Sequence, residues 1–356
     1  MFFFEYNDMK ILITGNLGYV GPGLVREFRE YHPEAVLMGY DIGYFAKYVT
    51  STSASPDIFL DLQYYGDVRR FPERILEGVD AVVSLAAISN DPIGNKFEEA
   101  TMDINHRANV NIARMAKRQG VRRFVFASSC SVYGSAEDAP RTESSTLDPL
   151  TAYARSKVYS EEALEALAGE GFQVTCLRFA TACGMSERLR LDLVLNDFVA
   201  GALTAGKIGI LSDGTPWRPL INVRDMARAI RWACQRETQS GGPFLTVNTG
   251  SNPWNFQIKD LALATQKLLP GVEVDINKDA LPDKRSYRVD FGLFQCLAPG
   301  HQPAYGLEET VKGLIGGLQA IRFNDANYRR SGLIRLNVIE ELLTRKEMDE
   351  ALSLRV

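Results

Sequence analysis

The chain has 356 residues, enough for one large domain or for two that share a boundary. Hydrophobic residues make up 46% and charged residues 24%, which is typical of a globular protein with a sizeable core. The formal net charge of −4 argues against wholesale nucleic-acid binding, because that binding depends on a basic face.

The cysteine and hydropathy patterns predict a cytoplasmic protein with no membrane partner. The five cysteines are an odd number and include no Cys-x-x-Cys pair, so we expect reduced thiols rather than a disulfide framework or a zinc site. The three histidines, His32, His106 and His301, are too widely separated to suggest a metal site. A short apolar patch opens the chain, but acidic residues follow at once, and no later run of about 18 apolar residues could span a bilayer.

Short β-branched runs alternate with amphipathic helical stretches through the first half of the chain. This alternation implies parallel strand pairing with helices on both faces, that is, an α/β fold with a doubly wound parallel sheet. Such a sheet binds its ligands beyond the carboxyl ends of the strands. Strands are predicted at residues 10–14, 35–41, 58–60, 80–86, 123–128 and 173–179, and helices at residues 21–31, 104–119 and 153–168.

The regular alternation weakens after residue 180. A helix at 224–236 and a strand at 243–248 are predicted to return to the first sheet. We therefore expect a nucleotide-binding domain of residues 1–179 plus about 223–249. The remaining residues, about 180–222 plus 250–356, are expected to form a smaller mixed substrate-binding lobe.

A glycine-rich turn follows the first strand and opens the first helix. Gly15 permits the tight turn, Gly18 lets the backbone approach a pyrophosphate, and Gly21 lets the helix pack closely on the strand. The start of the helix then offers unpaired N–H groups to the phosphates. The alternative is a glycine-rich turn that binds no ligand. The residues predicted to bind the dinucleotide here are Gly15, Asn16, Leu17, Gly18, Tyr19, Val20 and Gly21.

Asp41 ends the second predicted strand, where a carboxylate can accept hydrogen bonds from the adenosine ribose. The same carboxylate repels a 2′-phosphate, and no arginine follows within five residues, so NAD is favoured over NADP. Asp67, next to Val68, is a further candidate for the adenine edge. Taken alone, Asp67 would more often be an ordinary turn aspartate.

Tyr153 and Lys157 lie four residues apart on a predicted helix, which places both on one face. A nearby ammonium, helped by the positive nicotinamide ring, stabilises a phenolate and lowers the tyrosine pKa towards neutrality. A serine-rich segment, Ser128 to Gly134, ends the fifth strand, where a hydroxyl can bind the substrate oxygen that loses its proton. The alternatives are a surface Tyr/Lys pair and a serine-rich turn.

In order along residues 10–250, these motifs resemble the extended short-chain dehydrogenase/reductase family. Within it they are similar to the NAD-dependent nucleotide-sugar epimerases and dehydratases. The resemblance implies a Rossmann-type fold, NAD as cofactor, a nucleotide-diphosphate sugar as substrate, and catalytic roles for Ser129, Tyr153 and Lys157. It also implies cofactor contacts at Leu85, Ala86, Ala87, Asn105, Ser128 and Phe179.

The second half of the chain adds residues that the same resemblance assigns to the substrate. Arg218 matches an arginine that grips the nucleotide diphosphate, and Arg285 matches a second such contact. Asn196 matches a nucleotide contact, although for Asn196 and Arg285 an ordinary cap or surface role is the alternative. Thr181 stands where relatives commonly carry asparagine. Ser131 stands two positions after the catalytic serine, where dehydratases and the uronate decarboxylase typically carry an acid.

The leading interpretation is a nucleotide-sugar epimerase acting at C4 with retained NAD. A serine at position 131 is poorly suited to the acid–base work that dehydration needs. The alternatives within the family are a 4,6-dehydratase and a keto-sugar reductase. The alternative from another class is a non-catalytic NAD-sensing protein on the same fold.

A homodimer is also expected, through two helices that form a four-helix bundle with their copies. Val110, Ala113 and Ala116 form a stripe at three-residue steps, and small residues permit close helix approach. Leu164 and Leu167 lie on the second helix. The alternative is that these stripes only cover the sheet.

Overall fold

The computed structural model describes residues 9–89, 91–135, 139–277, 280 and 286–355. Its strands are β1 Lys10–Thr14, β2 Val36–Asp41, β3 Leu62–Tyr65, β4 Ala81–Ser84, β5 Arg123–Ser129, β6 Gln173–Phe179, β7 Thr181–Cys183, β8 Lys207–Ile210, β9 Trp217–Asn222, β10 Phe244–Thr249, β11 Asn255–Gln257 and β12 Glu273–Ile276. Its α-helices are α1 Gly21–Tyr31, α2 Asp91–Lys96, α3 Glu98–Met102, α4 Asn109–Arg118, α5 Ala152–Glu165, α6 Val194–Ala205, α7 Val223–Gln235, α8 Ile258–Leu268, α9 Gly292–Leu297, α10 Leu307–Ala320 and α11 Arg335–Thr344.

Seven parallel strands form the large sheet in the order β10-β6-β5-β4-β1-β2-β3. The strands are short and rich in branched apolar residues, which suits a sheet covered on both faces. Ile11 and Ile13 pack with α1 and α7 on one face, whereas Leu12 packs with α4 on the other, as the two-residue period of a strand requires. The predicted α/β fold with a doubly wound parallel sheet is confirmed.

The strand order reverses between β1 and β4, and the connections on either side of this point diverge. The carboxyl ends of β1 and β4 therefore open a crevice, which is where such sheets bind their ligands. The turn after β1, Asp41 at the end of β2 and the serines at the end of β5 all face this edge of the sheet.

The third predicted strand is wrong in position. Residues 58–60 belong to or follow a short 3-10 helix at Pro56–Phe59, and the strand forms at Leu62–Tyr65 instead. Ile58 and Phe59 are 65% and 52% exposed, so their apolar side chains are not part of the core beside the sheet. Proline at the start of the turn has no N–H for a strand ladder and favours a helical start.

The smaller lobe is mixed. β7 pairs in parallel and β11 antiparallel with β9, while β8 and β12 form a separate parallel pair. Helices α6, α8 and α10 contribute to a core of their own around these strands. Two later stretches pack instead in the cores beside the large sheet: Phe291 and Phe294 on one face, and the end of the chain on the other through Ile339 and Leu352.

The small-residue stripe on α4 is not a free surface. Val110, Ala113 and Ala116 are all buried in this one chain, with Ala113 and Ala116 in the core beneath the sheet. Leu164 on α5 is buried in the same core. The prediction that this stripe contacts a second subunit is wrong, because its side chains are already buried within one chain. Three-residue steps also mark a helix face that covers a sheet. The homodimer itself stays a prediction.

Among the described residues, no helix has the length and apolar character needed to cross a membrane.

Candidate active site

A cleft of about 880 Å³ lies between the carboxyl edge of the large sheet and the smaller lobe. It contains the predicted catalytic residues Ser129, Tyr153 and Lys157, and the predicted substrate residues Ser131, Thr181 and Arg218. Arg285 lies outside the described residues. The predicted cofactor residues that line the cleft are Gly15, Gly18, Tyr19, Val20, Asp41, Asp67, Val68, Leu85, Ala86, Ala87, Ser128, Tyr153, Lys157 and Phe179.

The glycine turn is shaped for close backbone approach. Gly15 has a φ of 75°, and a Cβ there would lie 2.5 Å from the backbone nitrogen of Ala86. A Cβ on Gly21 would lie 1.8 Å from the carbonyl oxygen of Asn16, so α1 begins directly against the turn. Val20 provides no side-chain cap, which leaves N–H groups at the start of α1 for phosphate oxygens. These features fit a dinucleotide.

Three predicted cofactor residues support the turn without lining the cleft. Asn16 is fully buried and donates from Nδ2 to Gln63 Oε1 at 2.6 Å. The backbone nitrogen of Leu17 donates to Asp41 Oδ2 at 3.0 Å. Gly21 provides the close packing of α1. Asn16, Leu17 and Gly21 therefore hold the turn in shape from behind.

Asp41 is held by backbone donors on both carboxylate oxygens. Besides the bond from Leu17, its Oδ1 accepts from the Gly43 nitrogen at 2.7 Å. Burial raises the pKa of the carboxyl, and the two backbone bonds oppose that rise. Each oxygen keeps a further lone pair for a ribose hydroxyl, so the geometry fits the predicted adenosine contact.

Replacing Asp41 with alanine is expected to weaken NAD binding on the order of 10- to 100-fold, because a charge-assisted hydrogen bond to the ribose is lost. NADP binding should weaken less, since the repulsion of its 2′-phosphate is lost as well. Asp41→Asn keeps the shape of the side chain but removes its charge, so comparison with Asp41→Ala separates the effect of the charge on binding from that of packing. Calorimetry with both dinucleotides measures the effect, and unchanged affinities for both would show that the ribose binds elsewhere.

The catalytic residues are positioned by β5 and α5. Thr151 caps α5 by accepting from the Ala154 nitrogen at 3.1 Å, which places Tyr153 in the first turn. Ser129 ends β5 and hydrogen-bonds the Tyr153 side chain. Lys157 follows one turn after Tyr153, and its Nζ lies 5.5 Å from the centre of the tyrosine ring.

The protein's own groups raise the pKa of Tyr153, contrary to the expectation from the sequence. Burial raises this pKa to about 12, and the Ser129 hydrogen bond opposes the rise only in part. Burial also lowers the pKa of Lys157 to about 8, opposed by the charge of Glu161. The Lys157 ammonium donates to the Ala127 carbonyl at 2.7 Å. The positive charge of a nicotinamide ring is the contribution that the chain itself does not provide.

A buried ion pair lies directly behind the catalytic helix. Arg178 on β6 binds Glu161 on α5 through two nitrogens, with the shortest contact at 2.7 Å, and both side chains are at most 7% exposed. Glu161 Oε1 also accepts from Ser128 Oγ at 2.5 Å. Arg178 donates to Tyr133 Oη at 2.9 Å. The pair thus connects the cofactor-lining serine to the core, a link that the sequence analysis missed.

Two predicted ligand contacts lie behind the cleft instead of in it. Asn105 is fully buried and binds the backbone of Ile88 in both directions, at 2.7 and 2.9 Å, so it positions the loop after β4. Asn196 is also fully buried and accepts from the Gly184 nitrogen at 2.9 Å. Its Nδ2 donates to the Arg190 carbonyl at 2.9 Å. Short polar side chains at these positions satisfy buried backbone, which explains their presence without a ligand.

Two residues at the cleft also have structural contacts, and that of Asp67 is the turn role given as its alternative. Asp67 lines the cleft, but its carboxylate is bound by Arg69 at 2.5 Å and caps a short 3-10 turn. Its contact with adenine stays a prediction. Tyr19 donates from its hydroxyl to the Gly184 carbonyl at 2.5 Å and so ties the glycine turn to the smaller lobe.

Charged residues from distant parts of the chain complete the cleft. Arg190 and Asp192 form an ion pair at 2.8 Å, and Arg190 also donates to Ser89 Oγ at 2.8 Å. They belong to the run 188–192, Arg-Leu-Arg-Leu-Asp, whose two leucines are fully buried. This alternation of charged and apolar residues is a signal the sequence analysis could have used. Asp91 and Arg335 also line the cleft.

Comparison with known proteins agrees with this geometry. The model of the NAD dependent epimerase/dehydratase family matches residues 11–250. UDP-glucuronic acid decarboxylase 6 of Arabidopsis thaliana is 25% identical over 318 residues, which cover 87% of this chain and 88% of the relative. UDP-glucose 4-epimerase of Lactobacillus helveticus is 28% identical over 233 residues, 61% and 67% of the two chains.

Among solved structures, the NAD-dependent NDP-hexosamine 5,6-dehydratase TunA is 25% identical and superposes with a TM-score of 0.76, over 90% of this chain and 99% of TunA. MoeE5 in complex with UDP-glucuronic acid and NAD is also 25% identical, with a TM-score of 0.73 over 87% of this chain and 99% of MoeE5. The similar proteins therefore include a decarboxylase, an epimerase and a dehydratase.

Proposed function

This chain belongs to the NAD-dependent epimerase/dehydratase family, and from that membership we propose that it is a nucleotide-sugar epimerase acting at C4. NAD, predicted from the glycine turn and Asp41, is confirmed as the cofactor by the family and by similar structures that hold it. The proposed reaction rests on the arrangement of side chains in the cleft, and the proposed carbon rests on the similarity to UDP-glucose 4-epimerase.

The catalytic residues would act on one hydroxyl of the sugar. NAD bound in the cleft would supply reversible hydride transfer at the carbon that carries this hydroxyl, first removing the hydride and then restoring it on the opposite face. Tyr153 takes the hydroxyl proton and gives it back after the keto sugar has rotated. Ser129 donates a hydrogen bond to the same oxygen, which holds it beside Tyr153. Lys157 is charged below its pKa of about 8, and its positive charge favours the phenolate form of Tyr153.

Arg218 supports a nucleoside diphosphate as the recognised part of the substrate. It lies on β9 in the smaller lobe and lines the cleft, and its guanidinium lies 5.9 Å from the Tyr287 ring. A planar guanidinium binds phosphate oxygens in a bidentate manner. We propose this role for Arg218, with Thr181 contacting the sugar beside it.

The observation that carries the epimerase proposal is the side chain at position 131. Ser131 lines the cleft, its hydroxyl is buried, and that hydroxyl has no hydrogen-bond partner in the described part of the chain. A serine hydroxyl has no carboxylic proton to give to a departing C6 hydroxyl. Cys130 is no substitute, since burial raises the pKa of its thiol.

A second candidate function is dehydration, and Asp91 is the observation in its favour. The Asp91 carboxylate lines the cleft, and its charge raises the pKa of Tyr153, so the two groups lie in the same part of the cleft. Thr151 Oγ1 donates to Asp91 Oδ1 at 2.8 Å and holds it there. An acid at this position could protonate a leaving hydroxyl from a different direction than a residue at position 131.

A nucleotide-sugar panel in deuterated water tests both functions. We expect inversion at C4, no deuterium at C5 and no net change in NADH, because elimination needs an acid–base pair that assists by about 10²–10⁴-fold. The products are identified by NMR. Deuterium at C5 or a 4-keto-6-deoxy product would assign a dehydratase, and Asp91→Asn should then abolish it. Stoichiometric consumption of NADH would assign a keto-sugar reductase. Binding without turnover of any sugar would favour the NAD-sensing protein.

A further inference from the structure

The end of the chain crosses the cleft as a strap, residues 328–355. It starts on the smaller lobe, where Tyr328 Oη donates to Asp197 Oδ1 at 2.6 Å. It then pairs with the 188–192 run through a bond from the Leu191 nitrogen to the Leu333 carbonyl at 3.0 Å. It ends on the large domain, where Arg69 Nη1 donates to the Ala351 carbonyl at 2.5 Å. The family match ends at residue 250, so the strap itself lies outside the matched segment.

Arg335 is the residue that the strap brings into the cleft. It is the first residue of α11, only 3% exposed, and it lines the cleft beside Phe45, with the guanidinium carbon 4.0 Å from the centre of the Phe45 ring. Its Nη2 donates to the Arg188 carbonyl at 3.3 Å. Its Nη1 is buried and has no hydrogen-bond partner among the described residues.

Among the described residues, Arg335 has no carboxylate of its own, and the charges of Asp192 and Asp41 offset its burial only in part. Arg188 is bound to Asp57 at 2.5 Å, and Arg190 is bound to Asp192 at 2.8 Å, so both carboxylates already have a cation. No ion pair joins Arg335 to a carboxylate in the part of the chain that the structure describes. Burial, followed by repulsion from Arg190, lowers the pKa of Arg335 to about 9. A buried cation in this situation is costly unless an anion binds to it.

The position of Arg335 indicates which kind of anion would bind to it. Its guanidinium lies over the Phe45 ring, four residues after Asp41 at the adenosine end. Its charge acts on Asp41 and is repelled by that of Arg190, whose charge in turn acts on Tyr153 at the nicotinamide end. Between these two ends runs the glycine turn with the free N–H groups of α1. A diphosphate that joins two nucleosides lies in this interval. Arg218, the proposed partner of the nucleotide-sugar diphosphate, is on the smaller lobe.

We propose that Arg335 is a cofactor-binding residue, carried across the cleft by the C-terminal strap, and that its guanidinium binds the diphosphate oxygens of NAD. The glycine turn contacts the diphosphate from the sheet side, and Arg335 contacts it from the strap side.

The test is Arg335→Met in the full-length chain, with binding of NAD, ADP, adenosine and UDP measured by calorimetry. Removal of a charge-assisted contact should weaken NAD and ADP on the order of 10- to 100-fold and leave adenosine and UDP unchanged. The NAD content of the purified protein should fall in parallel. The melting temperature without added nucleotide should not fall, because the cation has no carboxylate partner. Binding is measured directly, so the result does not depend on which sugar reaction occurs.

Two further variants complete the experiment. Arg330→Met removes an exposed arginine of the same strap that does not line the cleft, and it should leave all four affinities unchanged. Arg335→Lys keeps the charge and should lose less ADP affinity than the methionine variant. A fall in adenosine affinity equal to that for ADP, with a lower melting temperature, would show a structural role only and overturn the proposal. A loss confined to UDP would overturn the assignment to NAD and identify the diphosphate of the nucleotide sugar.

Discussion

Tyr153→Phe is expected to lower turnover by about 10²–10⁴-fold, because it removes the one hydroxyl placed to exchange a proton with the substrate. The fold and NAD binding should persist, since the ring that packs in the first turn of α5 is unchanged. KM should change much less than kcat, because the lost interaction acts in proton transfer and contributes little to binding. The measurement is steady-state kinetics on the substrate found by the nucleotide-sugar panel.

Tyr159→Phe is the matched control for this variant. Tyr159 lies on the same helix, is 44% exposed and does not line the cleft, so its loss should leave kcat unchanged. Near-normal turnover in Tyr153→Phe would remove Tyr153 from the mechanism. An equal loss in both tyrosine variants would point to damage of α5 instead.

Glu161→Ala is expected to cost about 3–5 kcal/mol of unfolding free energy, because it leaves the buried Arg178 cation without its carboxylate. The charge of Glu161 also raises the pKa of Lys157 against burial. Loss of Glu161 should therefore lower the pKa of Lys157 below about 8. On raising the pH, activity that needs the Lys157 ammonium should then begin to fall at a lower pH than in the unmodified protein. Denaturant unfolding and the pH profile of kcat measure the two effects.

Two further variants show whether the effect of Glu161→Ala comes from the broken ion pair or from general damage to α5. Glu162→Ala changes the next residue, which is exposed, and should cost little. A Glu161→Leu/Arg178→Met double variant should be considerably more stable than Glu161→Ala, since no buried charge is left alone. A double variant that is no more stable than Glu161→Ala would argue against charge as the cause, and an unchanged pH profile would disconnect Glu161 from Lys157.

Much of the site could be predicted because its parts are local. The turn from Gly15 to Gly21 is defined by neighbouring residues, and the one-face placement of Tyr153 and Lys157 follows from helical spacing. Local patterns also led to the predicted ligand contacts at Asn105 and Asn196, which the structure places behind the cleft. Whether such a polar side chain meets a ligand or buried backbone depends on which side of the cleft wall it occupies, and a motif does not contain that information.

The sequence by itself determined the parallel sheet, the nucleotide-binding turn and the catalytic helix, because strand alternation, glycine positions and helical periodicity act over a few residues. Only the tertiary structure decided the electrostatics of the cleft. The charge of Arg335 acts on Asp41 because the strap returns to the cleft. The lack of an arginine within five residues of Asp41 in the sequence therefore did not predict which charges surround the adenosine site. The pKa of Tyr153 likewise depends on burial by distant elements, which outweighs its neighbours on α5. Desolvation and charge pairing are set by whatever surrounds a group in space, and residues far apart in the chain supply most of those surroundings.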